Sequence, residues 1–162
     1  MKFFEDIHIS NSININVDSE KVISFLKGLR NDEKYKEWHP EDHVSMRWAK
    51  GEPWEEGSIC HAKEHIGSKL ETIKMSVNKV IDGKYIEYAP TSRFMRRYIP
   101  RLTFHVTDVE DGCKFTATMD CRIPLIPRLL VPGKVKRELD AVRKHIQEEG
   151  ENMKALLEQP KV

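Results

Sequence analysis

The chain has 162 residues, 33% of them charged and 39% hydrophobic, with a formal net charge of +1. That length suits one domain with a real core, expected to span residues 1–162, and the near-zero charge predicts neither a nucleic acid nor an anionic membrane as partner. No run of about 18 apolar residues is present, so no membrane-spanning helix is expected.

The opening MKFFEDIHIS has one lysine followed by acids and does not read as a secretory leader. Residues 3–17 end in alternation, with Ile13, Ile15 and Val17 on one face and Asn14 and Asn16 on the other, which predicts a half-buried strand. Asp18 and Ser19 read as a helix cap ahead of Val22, Ile23, Phe25, Leu26 and Leu29 at helical spacing. Asn31 or Asp32 caps a second short helix that Pro40 stops. From His43 to Ile123 about six strands are expected, separated by turns at Gly57, Gly67-Ser68, Asp82-Gly83 and Asp111-Gly112. A proline-rich crossing follows, with Pro124, Pro127 and Pro132, and then a long helix over about 134–157. That helix carries a stripe of Val135, Leu139, Val142, Ile146, Met153 and Leu156. The stripe must be buried, and the concave side of a curved sheet is the surface available. The expected class is therefore α+β of the helix-grip kind, with a cavity between sheet and helix.

Four groups of residues bear on chemistry. In the long helix, position 149 should be apolar by period but is Glu149, and His145 lies one turn earlier. A buried carboxylate requires a cation, and a His and a Glu at this spacing can share one divalent ion; a solvated Glu149 beside Glu148 and Glu151 is the alternative. Between Trp38 and His43, two histidines and two acids flank Pro40, either as ligand and acid–base groups or as a polar loop. In Cys60 to His65, alternation places Glu64 on the face of Cys60 and Ala62, either inward or solvated. His105 shares a face with Thr103 and Thr107, lining a polar pocket or facing solvent. Arg93, Arg96, Arg97 and Arg101 with Phe94 and Tyr98 read as a solvated edge, since RNA binding calls for more net charge. Cys60, Cys113 and Cys121 are odd in number and lack a C-x-x-C pair, which predicts a reducing cytoplasm and no cysteine zinc site. No nucleophile elbow or phosphate-binding glycine motif occurs.

Taken together, Tyr35-Lys36-Glu37-Trp38-His39-Pro40-Glu41-Asp42-His43, Gly57-Ser58-Ile59, Glu64-His65-Ile66-Gly67 and His145-x-x-x-Glu149 resemble the diacetylphloroglucinol hydrolase and phloretin hydrolase family. Those enzymes are similar to metal-bearing members of the START-like, or Bet v 1-like, superfamily. The resemblance implies one zinc ion per chain, held by His39, Glu64, His145 and Glu149. It implies further that Asp42, His43 or His105 handles protons or holds ring hydroxyls, with Tyr35 and Tyr98 as substrate contacts. The activity implied is hydrolysis of the carbon–carbon bond between an acyl group and an electron-rich ring. A non-catalytic START-like binder and a polyketide cyclase are the other two readings. All three take a hydrophobic or aromatic small molecule and leave a homodimer open.

Overall fold

A computed structural model describes residues 2–160. The chain runs β1 (Phe4–Ile15), α1 (Ser19–Lys27), α2 (Asp32–Trp38), β2 (His43–Lys50), β3 (Ile59–Ile66), β4 (Lys69–Ile81), β5 (Tyr85–Pro90), α3 (Arg93–Arg96), β6 (Arg101–Val109), β7 (Gly112–Pro124), α4 (Leu125–Leu130) and α5 (Pro132–Leu157). The strands form one antiparallel sheet in the order β1-β7-β6-β5-β4-β3-β2. Every neighbour except the β1–β7 pair is consecutive in sequence; short turns close β3–β4, β4–β5 and β6–β7, a longer loop joins β2 to β3, α3 lies between β5 and β6, and the first strand pairs with the last. The class is α+β, with a curved sheet gripping the long C-terminal helix, as the patterning predicts.

α5 lies across the sheet and meets β1, β3 and β7. Val135, Leu139, Ile146 and Met153 are buried there, together with His145 and Gly150. At Gly150 the helix comes so close to β1 that an added Cβ would sit 3.2 Å from Asn11 Nδ2 and 3.4 Å from Ile13 Cγ2. α1 buries Val22 and Leu26. Asp18 is its N-cap residue but its side chain makes no capping bond; the first turn is held by Lys21 N–H donating to the Asp18 carbonyl, 2.9 Å. Asn31 caps α2 in the ordinary way, its side chain accepting from Lys34 N–H at 3.0 Å. The crossing after β7 contains a helix, α4, that its prolines did not suggest: Pro124 and Pro132 stand at the starts of α4 and α5, where the missing N–H costs nothing.

The loop between β2 and β3 folds inward. Trp54 is 6% exposed, has a φ of 61°, and its indole N–H donates to the Leu26 carbonyl at 2.9 Å. Its ring meets Trp48, Tyr88 and Phe104 edge-on, all with centroids 5.2–5.3 Å away. This aromatic plug anchors α1 to the middle of the sheet and forms one wall of the interior.

The turn into β7 sets the register of the β1–β7 pair. Gly112 has a φ of 143°, and a Cβ there would collide with the Ile15 carbonyl oxygen. Gly83, with a φ of 71°, has nothing within 4 Å of that position. Gly83→Ala is therefore expected to cost only about 1–2 kcal/mol of left-handed strain, whereas Gly112→Ala should cost about 3 kcal/mol or more because the strand pair must also part. Urea unfolding of both variants checks this, and equal destabilisation would contradict it.

Candidate functional site

β2 and β3 are paired so that His43, the first residue of β2, lies opposite Glu64. Cys60, Ala62 and Glu64 alternate onto the buried face of β3. α5 crosses above and adds His145 and Glu149 from successive turns. One ligand atom from each of His43, Glu64, His145 and Glu149 lies within 4.8 Å of the others. His43 Nε2 is 3.0 Å from Glu149 Oε1 and 3.7 Å from Glu64 Oε2. His145 Nε2 is 3.4 Å from Glu149 Oε1 and 3.6 Å from Glu64 Oε1.

Neighbouring groups aim both imidazoles. His43 Nδ1–H donates to the Tyr35 carbonyl, 2.8 Å, and its ring stacks on that of Tyr35 with centroids 3.7 Å apart. His145 Nδ1–H donates to Asp42 Oδ2, 2.8 Å. With each Nδ1 spoken for, both Nε2 atoms turn toward the two carboxylates, and each contact needs a proton or another cation between the facing lone pairs. The Tyr35 hydroxyl donates to Glu64, and the Trp38 indole N–H donates to the Glu149 carbonyl at 2.9 Å, pinning the helix turn.

Burial works against charge on His145, but Glu149, then Glu64 and Asp42, outweigh it and lift its pKa to about 10. Burial pushes the Glu149 carboxyl up, yet His145 and His43 draw it down to about 2. Glu64 goes the other way: burial, with the nearby Glu149 charge, raises it despite His145 and His43. Burial and the two carboxylates also hold the Tyr35 and Tyr88 hydroxyls well above the ordinary phenol range. Burial lifts the Cys60 thiol to about 12, so it is no nucleophile.

The four-residue group contains His43, not His39. His39 Nδ1 accepts from Asp42 N–H at 3.2 Å and its Nε2–H donates to Glu148 Oε2 at 2.9 Å. Both nitrogens are thus engaged, and buried His39 falls in a second group, with Asp42 and His145, that shares His145 with the first. Asp42 reaches the site through His145, and Tyr35 through Glu64. His105 and Tyr98 do not reach it. His105 is exposed on the opposite side of β6 from buried Phe104 and Val106, edge-on to Tyr85. Tyr98 packs between Phe4 and Phe94. Sequence reasoning missed Trp54 and Tyr88, both of which line the interior; the spacing of Ile86, Tyr88 and Pro90 in β5 was the available signal for Tyr88.

The cluster opens onto a cavity of about 940 Å³ between sheet and α5. Its walls include Met46, Trp54, Tyr88, Phe104, Ala117 and Met119. Fold and cavity thus define a helix-grip protein with a largely apolar interior and one buried polar cluster. The chain belongs to the family described as polyketide cyclase/dehydrase and lipid transport, which it matches over residues 6–158. No curated protein matches it. Among solved structures it is similar to the KanY protein, at 13% identity over 96% of this chain and 99% of that one, TM-score 0.72. One half of the di-domain ARO/CYC BexL from the BE-7585A biosynthetic pathway is similar at 12% identity, covering 96% of this chain and 51% of that one, TM-score 0.74. Ginseng major latex-like protein 151 from Panax ginseng is similar at 12% identity over 98% and 100% of the chains, TM-score 0.66. At these identities the likenesses establish the fold. Neither this family match nor these likenesses shows the hydrolase family that the motifs resemble. No helix among the described residues is long and apolar enough to cross a membrane.

The cluster makes stability depend on pH in a stated direction. His145 titrates above its ordinary 6.5 when folded, so its contribution is complete below pH 6.5 and is lost as pH rises toward 10. Glu149 titrates below its ordinary 4.5, so its contribution is complete above pH 4.5 and is lost as pH falls toward 2. Chelator-treated protein is therefore expected to lose on the order of 1–3 kcal/mol of unfolding free energy between neutral and strongly alkaline pH. His145→Gln should flatten that alkaline limb. Urea titrations across the pH range read both, and an unchanged limb in the variant would contradict the assignment.

Proposed function

We propose that the protein holds an apolar, ring-bearing small molecule of the polyketide or acylphenol kind, with the molecule's oxygens turned toward His43, Glu64, His145 and Glu149. The observation that carries this reading is the cavity of about 940 Å³, largely apolar but for one buried cluster of acid–base groups. The family description and the aromatase/cyclase name of one structural neighbour support it. A volume of this size suits a drug-sized or larger organic ligand. Within it the aromatic walls supply contact area, and the Tyr35 hydroxyl and Glu64 supply a buried pair able to hold or exchange a proton on a ligand oxygen. Glu64, its carboxyl raised by burial and by the Glu149 charge, is the member of the carboxylate pair more inclined to hold a proton. Asp42 acts indirectly, by accepting from His145 Nδ1–H and holding the ring in place.

A second reading, metal-dependent hydrolysis of an acyl–ring carbon–carbon bond, is favoured by the donor set. Four ligands at about 2.0–2.2 Å around one ion would stand roughly 3.3–3.6 Å apart; Glu149 Oε1 is 3.0 Å and 3.4 Å from the two imidazoles, and the Glu64 carboxylate approaches them with one oxygen each, at 3.7 Å and 3.6 Å. Two imidazoles and two carboxylates suit zinc or a similar divalent ion, and the Asp42 and Tyr35 carbonyl contacts are the outer supports that metal-bound histidines use. The residues fit the group. A bound ion would supply Lewis acidity toward an acyl carbonyl and a more acidic water. The Tyr35 hydroxyl would hold a ring or acyl oxygen, and Asp42 would keep the His145 ring in place.

Two experiments separate the readings. Elemental analysis of protein purified without a histidine tag is expected to find about one divalent ion per chain under the second reading and none under a metal-free one. His43→Ala, His145→Ala and Glu149→Gln should each lower metal retention by about 10-fold or more, while His39→Ala and Glu148→Gln should keep it. Equal retention in all five would sink the ligand set. Independently, a panel of acylphenols and polycyclic ketones is expected to raise the melting temperature, since a ligand bound only by the folded state stabilises it. Mass spectrometry of the same mixtures shows whether a phenol and a carboxylic acid are released. Stabilisation without product selects the binder or cyclase; product that chelation abolishes selects the hydrolase.

A further inference from the structure

The net charge of +1 conceals a strong segregation of charge. Residues 88–107 and 121–137 contain nine arginines and lysines and no aspartate or glutamate. The first stretch holds α3; the second holds the end of β7, α4 and the first turn of α5. The two meet at one end of the molecule. Arg122 N–H donates to the Tyr98 carbonyl at 2.7 Å, Tyr98 stacks edge-on to both Phe94 and Phe4, and Leu125 N–H donates to the Phe3 carbonyl at 3.1 Å. Arg101, Arg122, Arg128 and Lys136 have acid partners. Arg93, Arg96, Arg97, Lys134 and Arg137 have none among the described residues.

The same end carries most of the large apolar side chains left in water. Ten large hydrophobic residues are exposed among those described, and six of them are Phe94, Met95, Ile126, Leu129, Leu130 and Val131. Phe3, next to α4, is a seventh. Ile126, Leu129 and Leu130 are 71–77% exposed, on a six-residue helix bracketed by Pro124 and Pro132. Single exposed apolar residues are ordinary, but a cluster of this kind marks an interaction surface. Met95, Ile99, Lys134 and Arg137 from this surface also line the cavity. Glu149 lies fifteen residues further along α5 than Lys134, about 22 Å at the helical rise, so the polar cluster and this rim occupy opposite ends of the interior.

We propose that α3, α4 and the start of α5 form a docking surface for an anionic lipid bilayer, with Ile126, Leu129, Leu130 and Phe94 entering the interface and the unpaired cations lying on the headgroups. Aliphatic and aromatic side chains projecting from a ring of cations match the two components of peripheral membrane binding: apolar insertion and attraction to anionic lipid. An RNA or an acidic protein would use the cations but would leave protruding leucines without a purpose. The surface sits at the rim of the cavity, so an apolar ligand could pass between bilayer and interior without crossing water. The inference goes beyond the reading of the cavity and stands without it.

Sedimentation with sucrose-loaded vesicles tests this. The protein is expected to sediment with vesicles of equal parts phosphatidylcholine and phosphatidylglycerol, weakly with phosphatidylcholine alone, and less as salt rises. Arg93→Glu/Arg97→Glu should weaken binding about twentyfold or more, at roughly fivefold for each cation near the surface. Leu129→Ser/Leu130→Ser should weaken it about tenfold or more. Lys36→Glu/Lys63→Glu, exposed elsewhere, should change it little. All six positions are exposed, so unchanged melting temperatures should accompany these results. Absence of binding to the mixed vesicles, or binding that survives the arginine and leucine pairs, overturns the proposal. Binding that depends on the arginines alone and is matched by soluble polyglutamate also overturns it, and assigns the patch to an acidic protein. Occupancy of the cavity by an apolar fluorescent dye, measured without vesicles, reports separately on the reading of the interior.

Discussion

Two buried carboxylates this near each other require positive charge between them. Glu64 and Glu149 come from different elements, one from the middle of the sheet and one from the helix it grips, and both face His43 and His145 across 3.0–3.7 Å. Taking an isolated carboxylate out of water is prohibitively costly, and the cost falls only when a cation and hydrogen bonds replace the solvent. The arrangement around the cluster follows from that need. Asp42, the Tyr35 carbonyl, the Tyr35 hydroxyl and the Trp38 indole each hold one member in place. Consequently α2, the Trp38–His43 loop, the β2–β3 pair and α5 are tied together through one polar knot rather than through apolar packing alone.

The cavity is the consequence of a helix that does not fill the sheet it lies on. α5 approaches β1 closely at Gly150, and the β3–β4 turn at Gly67, where an added Cβ would be 3.2 Å from that of Ala141. Between these contacts the sheet curves away, and Trp54, Tyr88 and Phe104 wall the space without closing it. Aromatic walls are rigid and offer large contact area at low entropic cost, which suits flat, apolar molecules. The polar knot at one end then supplies buried acid–base groups to the inner wall.

The molecule is therefore polarised along α5. One end of the helix carries the charged cluster, shielded from solvent. The other carries cations and apolar side chains turned outward. A single averaged charge conceals this: four of the nine cations at that end are paired with acids, and the other five have no acid partner among the described residues.

Much of the architecture was legible in the residues themselves. Period-two and period-3.6 patterns, turn residues and the apolar stripe of α5 define the strands, the helices and the helix-grip class, because local periodicity reports which face of an element must be buried. The misfit at Glu149 and the alternation at Glu64 also located two members of the cluster, since an acid on an otherwise apolar face is visible without knowing what it meets. What the sequence could not decide was which of His39 and His43 joins them. The two lie four residues apart, across the end of α2 and a proline; the path of that loop turns His43 inward onto Tyr35 and leaves His39 to Asp42 and Glu148. For the same reason His105 and Tyr98 read as candidates although one faces solvent and the other packs against Phe4. The surface shared by α3 and α4 was equally hidden, because its halves lie about thirty residues apart and only the pairing of β6, β7 and β1 brings them together. Residue chemistry and local period are written in the chain; which distant side chains converge is decided by strand register and helix placement, and those are settled by tertiary packing.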